Sequence, residues 1–272
     1  MTGDEVPHRD SAAPGPGDAR TVQLRDNLAA AHARLERACR DADRDPAEVE
    51  LLVVTKFFPA DDVSRLIGLG AHAFGESREP EAGRKVAAVR AALHLDNPDT
   101  DSPTGGVTDT APVFDMIGTL QRNKAKSVAQ WARRVHSVDS ARLADALDTA
   151  AASALDSGAR SAVLDVLLQV SLDGDISRGG ALIEDLPSLA DAVDEADALA
   201  LRGLMVIAPL RVDADEAMAN AAQVRERFLA DHPGATVFSA GMSGDLEAAV
   251  RHGSTCVRVG TAIMGSRPIR SP

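Results

Sequence analysis

The 272-residue sequence predicts an α/β fold, a single closed (β/α)8 TIM barrel with one extra helix in front of it. Three observations lead there. Short apolar runs alternate with stretches of helical periodicity, as parallel strands joined by right-handed crossovers require. The alternation passes through eight strands, the number that closes this kind of barrel. The competing arrangement, an open doubly wound sheet, would carry a Gly-x-Gly-x-x-Gly turn after its first strand, and this chain has none there.

Residues 1–18 are rich in Pro, Gly, Asp and Ser and read as a disordered tail, which leaves 19–268 for the barrel. A helix over 18–40 is expected from Leu24, Leu28, Ala31, Leu35 and Ala38, which recur on one face. Strand one spans 50–56, an apolar run ending in Thr55 and Lys56. Pro59, Asp61 and Asp62 open the next helix, in keeping with the macrodipole. Strand two spans 71–75, with a helix from 76 to 89. The stretch 94–112 lacks periodicity and reads as an inserted flexible surface loop. Strands three to six are placed at 113–117, 134–138, 162–170 and 201–207, with helices at 122–132, 141–155, 182–192 and 214–229 between and after them. Strand seven covers 236–239, a helix capped by Ser243 runs to 251, and strand eight covers 255–259, followed by a short tail. With no helix expected after strand eight, the leading helix must cover the gap where strand eight meets strand one.

Composition narrows the function. Aromatic residues make up 3% of the chain and Tyr is absent, so the core must be Ala, Val and Leu. A net charge of −12 argues against binding a nucleic-acid backbone. Cys39 and Cys256 fit no metal or redox spacing, which points to a reduced, cytoplasmic setting. No apolar segment is long enough to cross a membrane. The seven His residues form no ligand pair, so no metal is assigned.

A barrel places its site at the C-terminal ends of its strands. Strand one delivers Lys56 to that rim. The chain has only four lysines (Lys56, Lys85, Lys124 and Lys126) among 29 Lys and Arg, so it meets most needs for positive charge with Arg. A partly desolvated lysine amine can form a Schiff base, which Arg cannot; a strand-end lysine can also be a plain solvated charge. The loops after strands seven and eight carry Ser239, Gly241, Met242 and Ser243, then Gly260 and Thr261. Small residues and free backbone N–H groups there suit a phosphate, although a plain turn with a capping Ser has the same look. Arg258 alternates with apolar neighbours and points into the mouth, the alternative being an outward ion pair with a helix carboxylate. A lysine amine, a phosphate cradle and an Arg between them have the shape of a pyridoxal 5′-phosphate site, with the ring nitrogen on Arg258. Such a partner disfavours a protonated ring nitrogen and weakens the cofactor as an electron sink.

The segments VVTKFFP (53–59), FGESREPE (74–81), MIGTLQRNK (116–124), HSVDS (136–140), LLQVSLDGDISRGG (167–180), LRGLMVIAP (201–209) and FSAGMSGDLEAAVRHGSTCVRVGTAIMG (238–265) resemble the pyridoxal-phosphate homeostasis protein family, fold-type-III relatives of the alanine racemase N-terminal barrel. The resemblance implies pyridoxal 5′-phosphate covalently held by Lys56, its phosphate around Ser243, Gly260 and Thr261, and its ring nitrogen at Arg258. It also implies a monomer acting in vitamin B6 and amino-acid balance without robust catalysis, with cofactor-requiring apo-enzymes as candidate recipients. The chain departs from the family pattern at Ser77, Asp115, Ser171, Arg178 and Ala240. Two enzyme readings compete. A fold-type-III racemase would need a second base, a Tyr in the two-domain relatives, and a class I aldolase would use Lys56 on a sugar phosphate.

Overall fold

Asp18 opens the first helix. Its Oδ1 accepts from the backbone N–H groups of Arg20 at 2.8 Å and Thr21 at 3.0 Å, satisfying donors that the first turn of α1 (Ala19–Asp41) leaves unpaired. Leu24, Leu28, Ala31, Leu35 and Ala38 form its buried face, as their spacing predicts. The computed structural model describes residues 17–93 and 111–266. The expected tail therefore lies outside the described residues except for Gly17 and Asp18, and the expected insertion except for Ala111 and Pro112.

Eight parallel strands close into a barrel in chain order. They are β1 (Glu50–Val54), β2 (Ala73–Glu76), β3 (Val113–Met116), β4 (Arg134–Val138), β5 (Leu164–Val170), β6 (Leu199–Val206), β7 (Val237–Ser239) and β8 (Cys256–Val259). The seam between β1 and β8 sets Leu52 beside Arg258 and Val53 beside Val259. Helices α2 (Ala60–Gly68), α3 (Glu81–Ala92), α4 (Ala125–Val128), α5 (Ala141–Asp156), α6 (Leu186–Asp194), α7 (Ala214–Asp231), α8 (Leu246–Arg251) and α9 (Thr261–Met264) follow the strands.

Strand alternation divides the core in two. Outward residues such as Val53, Phe74, Phe114 and Val257 pack under the helices. Inward ones, Leu52, Ala73 and Cys256 with Val113 and Ile117, fill the barrel as a small separate cluster. Around that cluster the interior turns polar, with Asp115, His136, Gln169, Ser239 and Arg258 all buried.

Four boundaries differ from expectation in ways that matter. Strand β1 stops at Val54, so Lys56 lies in the turn beyond it and not on the strand. Strand β2 extends to Glu76, which becomes a buried strand end. The helix expected over 122–132 is a 3-10 turn (Arg122–Lys124) plus the single turn of α4. A short helix, α9, does follow β8, and α1 covers the remaining gap. Asn27 Nδ2 donates to the Ile263 carbonyl at 2.9 Å and Arg20 Nη2 to the Met264 carbonyl at 3.1 Å.

Candidate functional site

Lys56 sits in a turn closed by the Phe58 N–H donating to the Thr55 carbonyl at 3.1 Å. The third residue of that turn, Phe57, has φ of 72°. Glycine takes this left-handed conformation freely, whereas a bulky side chain holds it only when its surroundings impose it. Two cations flank the Phe57 ring, Lys56 Nζ at 5.9 Å and the Arg78 guanidinium at 5.5 Å from its centre. Lys56 is half-buried. Directly beneath it, the Thr55 hydroxyl donates to Glu76 Oε1 at 2.6 Å. Lys85 Nζ donates to the same oxygen at 2.7 Å and to the Thr55 carbonyl at 2.9 Å. Burial pushes the Glu76 carboxyl up, and Lys85 opposes that rise.

Arg258 points inward, as the alternation in β8 predicts. Its Nη1 donates to Ser239 Oγ at 2.6 Å and its Nη2 to the Val206 carbonyl at 2.8 Å. Among the described residues no carboxylate lies within ion-pair distance of it, and burial pushes its pKa down. Behind Ser239 stands His136, with Nδ1 3.0 Å from the Ser239 hydroxyl and Nε2 3.0 Å from Asp115 Oδ2. Burial would raise the Asp115 carboxyl, but bonds from Arg133 and His136 outweigh it and hold the group well below the usual carboxylate range. Burial pushes the His136 imidazole down against the pull of Asp115, which favours the neutral form at pH 7. An ionised Asp115 and a neutral His136 assign the protons. Nε2–H donates to Asp115, Nδ1 accepts from the Ser239 hydroxyl, and Ser239 accepts from Arg258. The Ser239 hydroxyl is thus turned inward and engaged, where the sequence reading gives it to a ligand.

The two loops opposite are built from backbone. Gly241 has φ of 92°, and a Cβ there would lie 2.5 Å from the Ala249 Cβ, so only glycine fits. Its carbonyl accepts from the Arg258 N–H at 2.9 Å, tying loop to strand. The helix expected at Ser243 begins instead at Leu246. The reason is local. Asp245 Oδ1 accepts from the Met242 N–H at 2.6 Å while the Asp245 N–H returns to the Met242 carbonyl, so residues 242–245 close a turn of their own. Met242 is exposed and its N–H is taken by Asp245. The N–H groups of Ser243, Gly244, Thr261 and Ala262 have no protein acceptor among the described residues. At Gly260 a Cβ would come within 3.3 Å of the Val54 Cβ, which places this loop against the end of β1, two residues before Lys56. Helix α1 braces the first loop as well as α9. Arg34 Nη1 donates to the Ser243 carbonyl at 2.8 Å while its other nitrogens grip Glu247 at 2.7 and 2.6 Å.

The expected residues therefore gather at one mouth. Ser239, Gly241 and Arg258 are directly bonded to one another or through one neighbour, and Gly260 and Lys56 flank the β1–β8 seam. Sequence reasoning gives no role to Glu76, Lys85 or the His136–Asp115 pair. For Asp115 the signal is a polar residue between apolar ones on a strand, Phe114-Asp115-Met116; Lys85, on helix α3, and Glu76, between Gly75 and Ser77, carry no such pattern. A cavity of about 550 Å³ lies at the other end, where Phe114, Trp131, Arg133, Arg160 and Arg202 line the starts of β3 to β6. Among the described residues there is also no group of His, Cys, Asp and Glu that could hold a metal.

Residues 27–268 match the family model of the alanine racemase N-terminal domain. The chain is 48% identical over 260 residues to the pyridoxal phosphate homeostasis protein of Mycobacterium tuberculosis, covering 93% of this chain and 96% of that one. The chain belongs to the pyridoxal phosphate homeostasis protein family. A solved structure similar to this family member is that of PipY from Synechococcus elongatus PCC7942 with pyridoxal phosphate (PLP) bound. It aligns with a TM-score of 0.69 at 29% identity, over 89% of this chain and 100% of that one. The alanine racemase of Corynebacterium glutamicum shares the fold alone, with a TM-score of 0.62 at 12% identity, over 93% of this chain and 62% of that enzyme. Among the described residues of this family member no helix is long and apolar enough to cross a membrane.

Proposed function

We propose that this chain holds pyridoxal 5′-phosphate reversibly through a Schiff base to Lys56 and serves cofactor homeostasis without robust turnover. The observation that carries the reading is Arg258, a buried guanidinium at the mouth whose partners among the described residues are a hydroxyl and a carbonyl. Such a donor suits a neutral acceptor such as an unprotonated ring nitrogen. Bound pyridoxal phosphate supplies an aldehyde, which condenses with a lysine amine as one water leaves.

The other residues fit the same ligand. The N–H groups of Ser243, Gly244, Thr261 and Ala262 offer donors to a phosphate, and Gly241 and Gly260 keep the loops close to the barrel. The Met242 N–H joins them only when Asp245 releases it. Arg258 keeps the ring nitrogen unprotonated, which limits carbanion stabilisation. This chain offers no Tyr as a second base, and His136 is engaged on both nitrogens behind Ser239. These features support a carrier, acting as a cytoplasmic monomer that supplies apo-enzymes, over a racemase. Borohydride reduction of the loaded protein, followed by peptide mass mapping, tests the reading together with an alanine racemisation assay. Label on Lys56 with no racemisation is expected. Label elsewhere, or steady racemisation, overturns it.

A further inference from the structure

Lys85 has no part in the reading above, yet it is one of four lysines and is only 10% exposed. It reaches from α3 to two oxygens, Glu76 Oε1 at 2.7 Å and the Thr55 carbonyl at 2.9 Å. Burying an ammonium and a carboxylate together costs solvation that a pair of apolar side chains would not. The pair therefore calls for a reason beyond packing, and its second bond supplies one. Thr55 is fixed at every polar atom. Its N–H donates to the Gly75 carbonyl at 3.1 Å, its hydroxyl to Glu76 at 2.6 Å, and its carbonyl accepts from both Lys85 and the Phe58 N–H. That carbonyl belongs to the peptide whose nitrogen is Lys56's own. Turning this peptide changes ψ of Thr55 and φ of Lys56, so it would swing the Lys56 side chain, and it would break the bonds that Lys85 and the Phe58 N–H make to this carbonyl.

We propose that Lys85, Glu76 and Thr55 are positioning residues that lock the turn carrying Lys56, so that its amine is presented to the carbonyl of a phosphorylated aldehyde. The clamp acts through the backbone and touches no ligand. It rests on the reading of Lys56 as the covalent tether.

The test compares two ligands, pyridoxal 5′-phosphate and pyridoxine 5′-phosphate, which has an alcohol where the other has the aldehyde. Affinities are measured for the wild type, Lys85→Met and Thr55→Val, with borohydride labelling of Lys56 as a second readout. Both variants are expected to bind the alcohol as the wild type does. They should bind the aldehyde roughly tenfold more weakly and label more slowly, the loss expected for one charge-assisted hydrogen bond. Lys85→Met leaves Glu76 without its ion-pair partner, so Lys85→Met/Glu76→Gln, which removes both charges, stands in if the single variant does not fold. Unchanged aldehyde binding in the variants overturns the clamp alone, as does an equal loss for both ligands. A wild type that does not favour the aldehyde overturns the tether and the clamp together.

Discussion

The Arg258 guanidinium donates to the Ser239 hydroxyl at 2.6 Å, and Ser239 in turn donates to His136. One hydroxyl thus serves two buried groups. Ser239→Ala leaves an Arg258 N–H and the His136 Nδ1 without partners, at about 1–3 kcal/mol for each buried polar group stranded. The expected result is a loss of about 2–6 kcal/mol in urea unfolding with an unchanged slope. A loss below about 0.5 kcal/mol, the size of an ordinary surface change, would mean the hydroxyl does not bridge them.

His136 sets a pH dependence. Burial holds its folded pKa below the ordinary value of about 6.5, so below that pH the unfolded chain takes up a proton that the folded chain refuses. Stability should therefore fall as pH drops from about 6.5 toward the folded value, with a contribution approaching 1.4 kcal/mol per pH unit, on the order of 2.303RT. Asp115 behaves oppositely in range. Its folded pKa is depressed, so its contribution is present above the ordinary carboxylate range and is lost only in stronger acid. His136→Gln keeps a donor and an acceptor, and should flatten the wild-type slope between about pH 6.5 and 5 when denaturation midpoints are compared. Parallel curves would contradict the assignment.

Arg34 ties α1 to the Ser243 carbonyl. Arg34→Ala frees that loop while leaving its N–H groups in place. Affinity for pyridoxal phosphate, and competition by inorganic phosphate, should weaken roughly threefold to tenfold, the scale of one ordinary hydrogen bond. Equal affinity would mean that the loop holds its shape without the helix.

Arg258→Gln keeps a neutral donor inside the mouth but removes the charge. Retention of pyridoxal phosphate on a desalting column should fall about tenfold while Lys56 is still labelled by borohydride, since the two contacts lie at different ends of the ligand. Loss of labelling with retention intact would reverse the two assignments.

Periodicity made most of this molecule legible. The eight strands, the covering helix α1 and the inward Arg258 follow from alternation and helical spacing alone. The glycine loops at 241 and 260 lie at the C-terminal ends of β7 and β8, where the sequence places them. What stayed hidden depends on contacts that spacing does not encode. His136 meets Asp115 on the neighbouring strand and Ser239 across 103 residues, the second a contact between non-adjacent strands that closure of the barrel brings about. The sequence extends the strand through Lys56 because Phe57 is a poor residue for a left-handed position, and nothing local announces the turn. Ser243 has the look of a helix cap because Ser favours that place, but Asp245 two residues later closes a turn of its own.

The most direct test of the account is the absorbance spectrum of the purified protein with added pyridoxal phosphate, wild type beside Lys56→Ala. The wild type should show a band shifted from that of the free cofactor, and the variant should lack it. An unchanged band in Lys56→Ala would contradict the role given to Lys56.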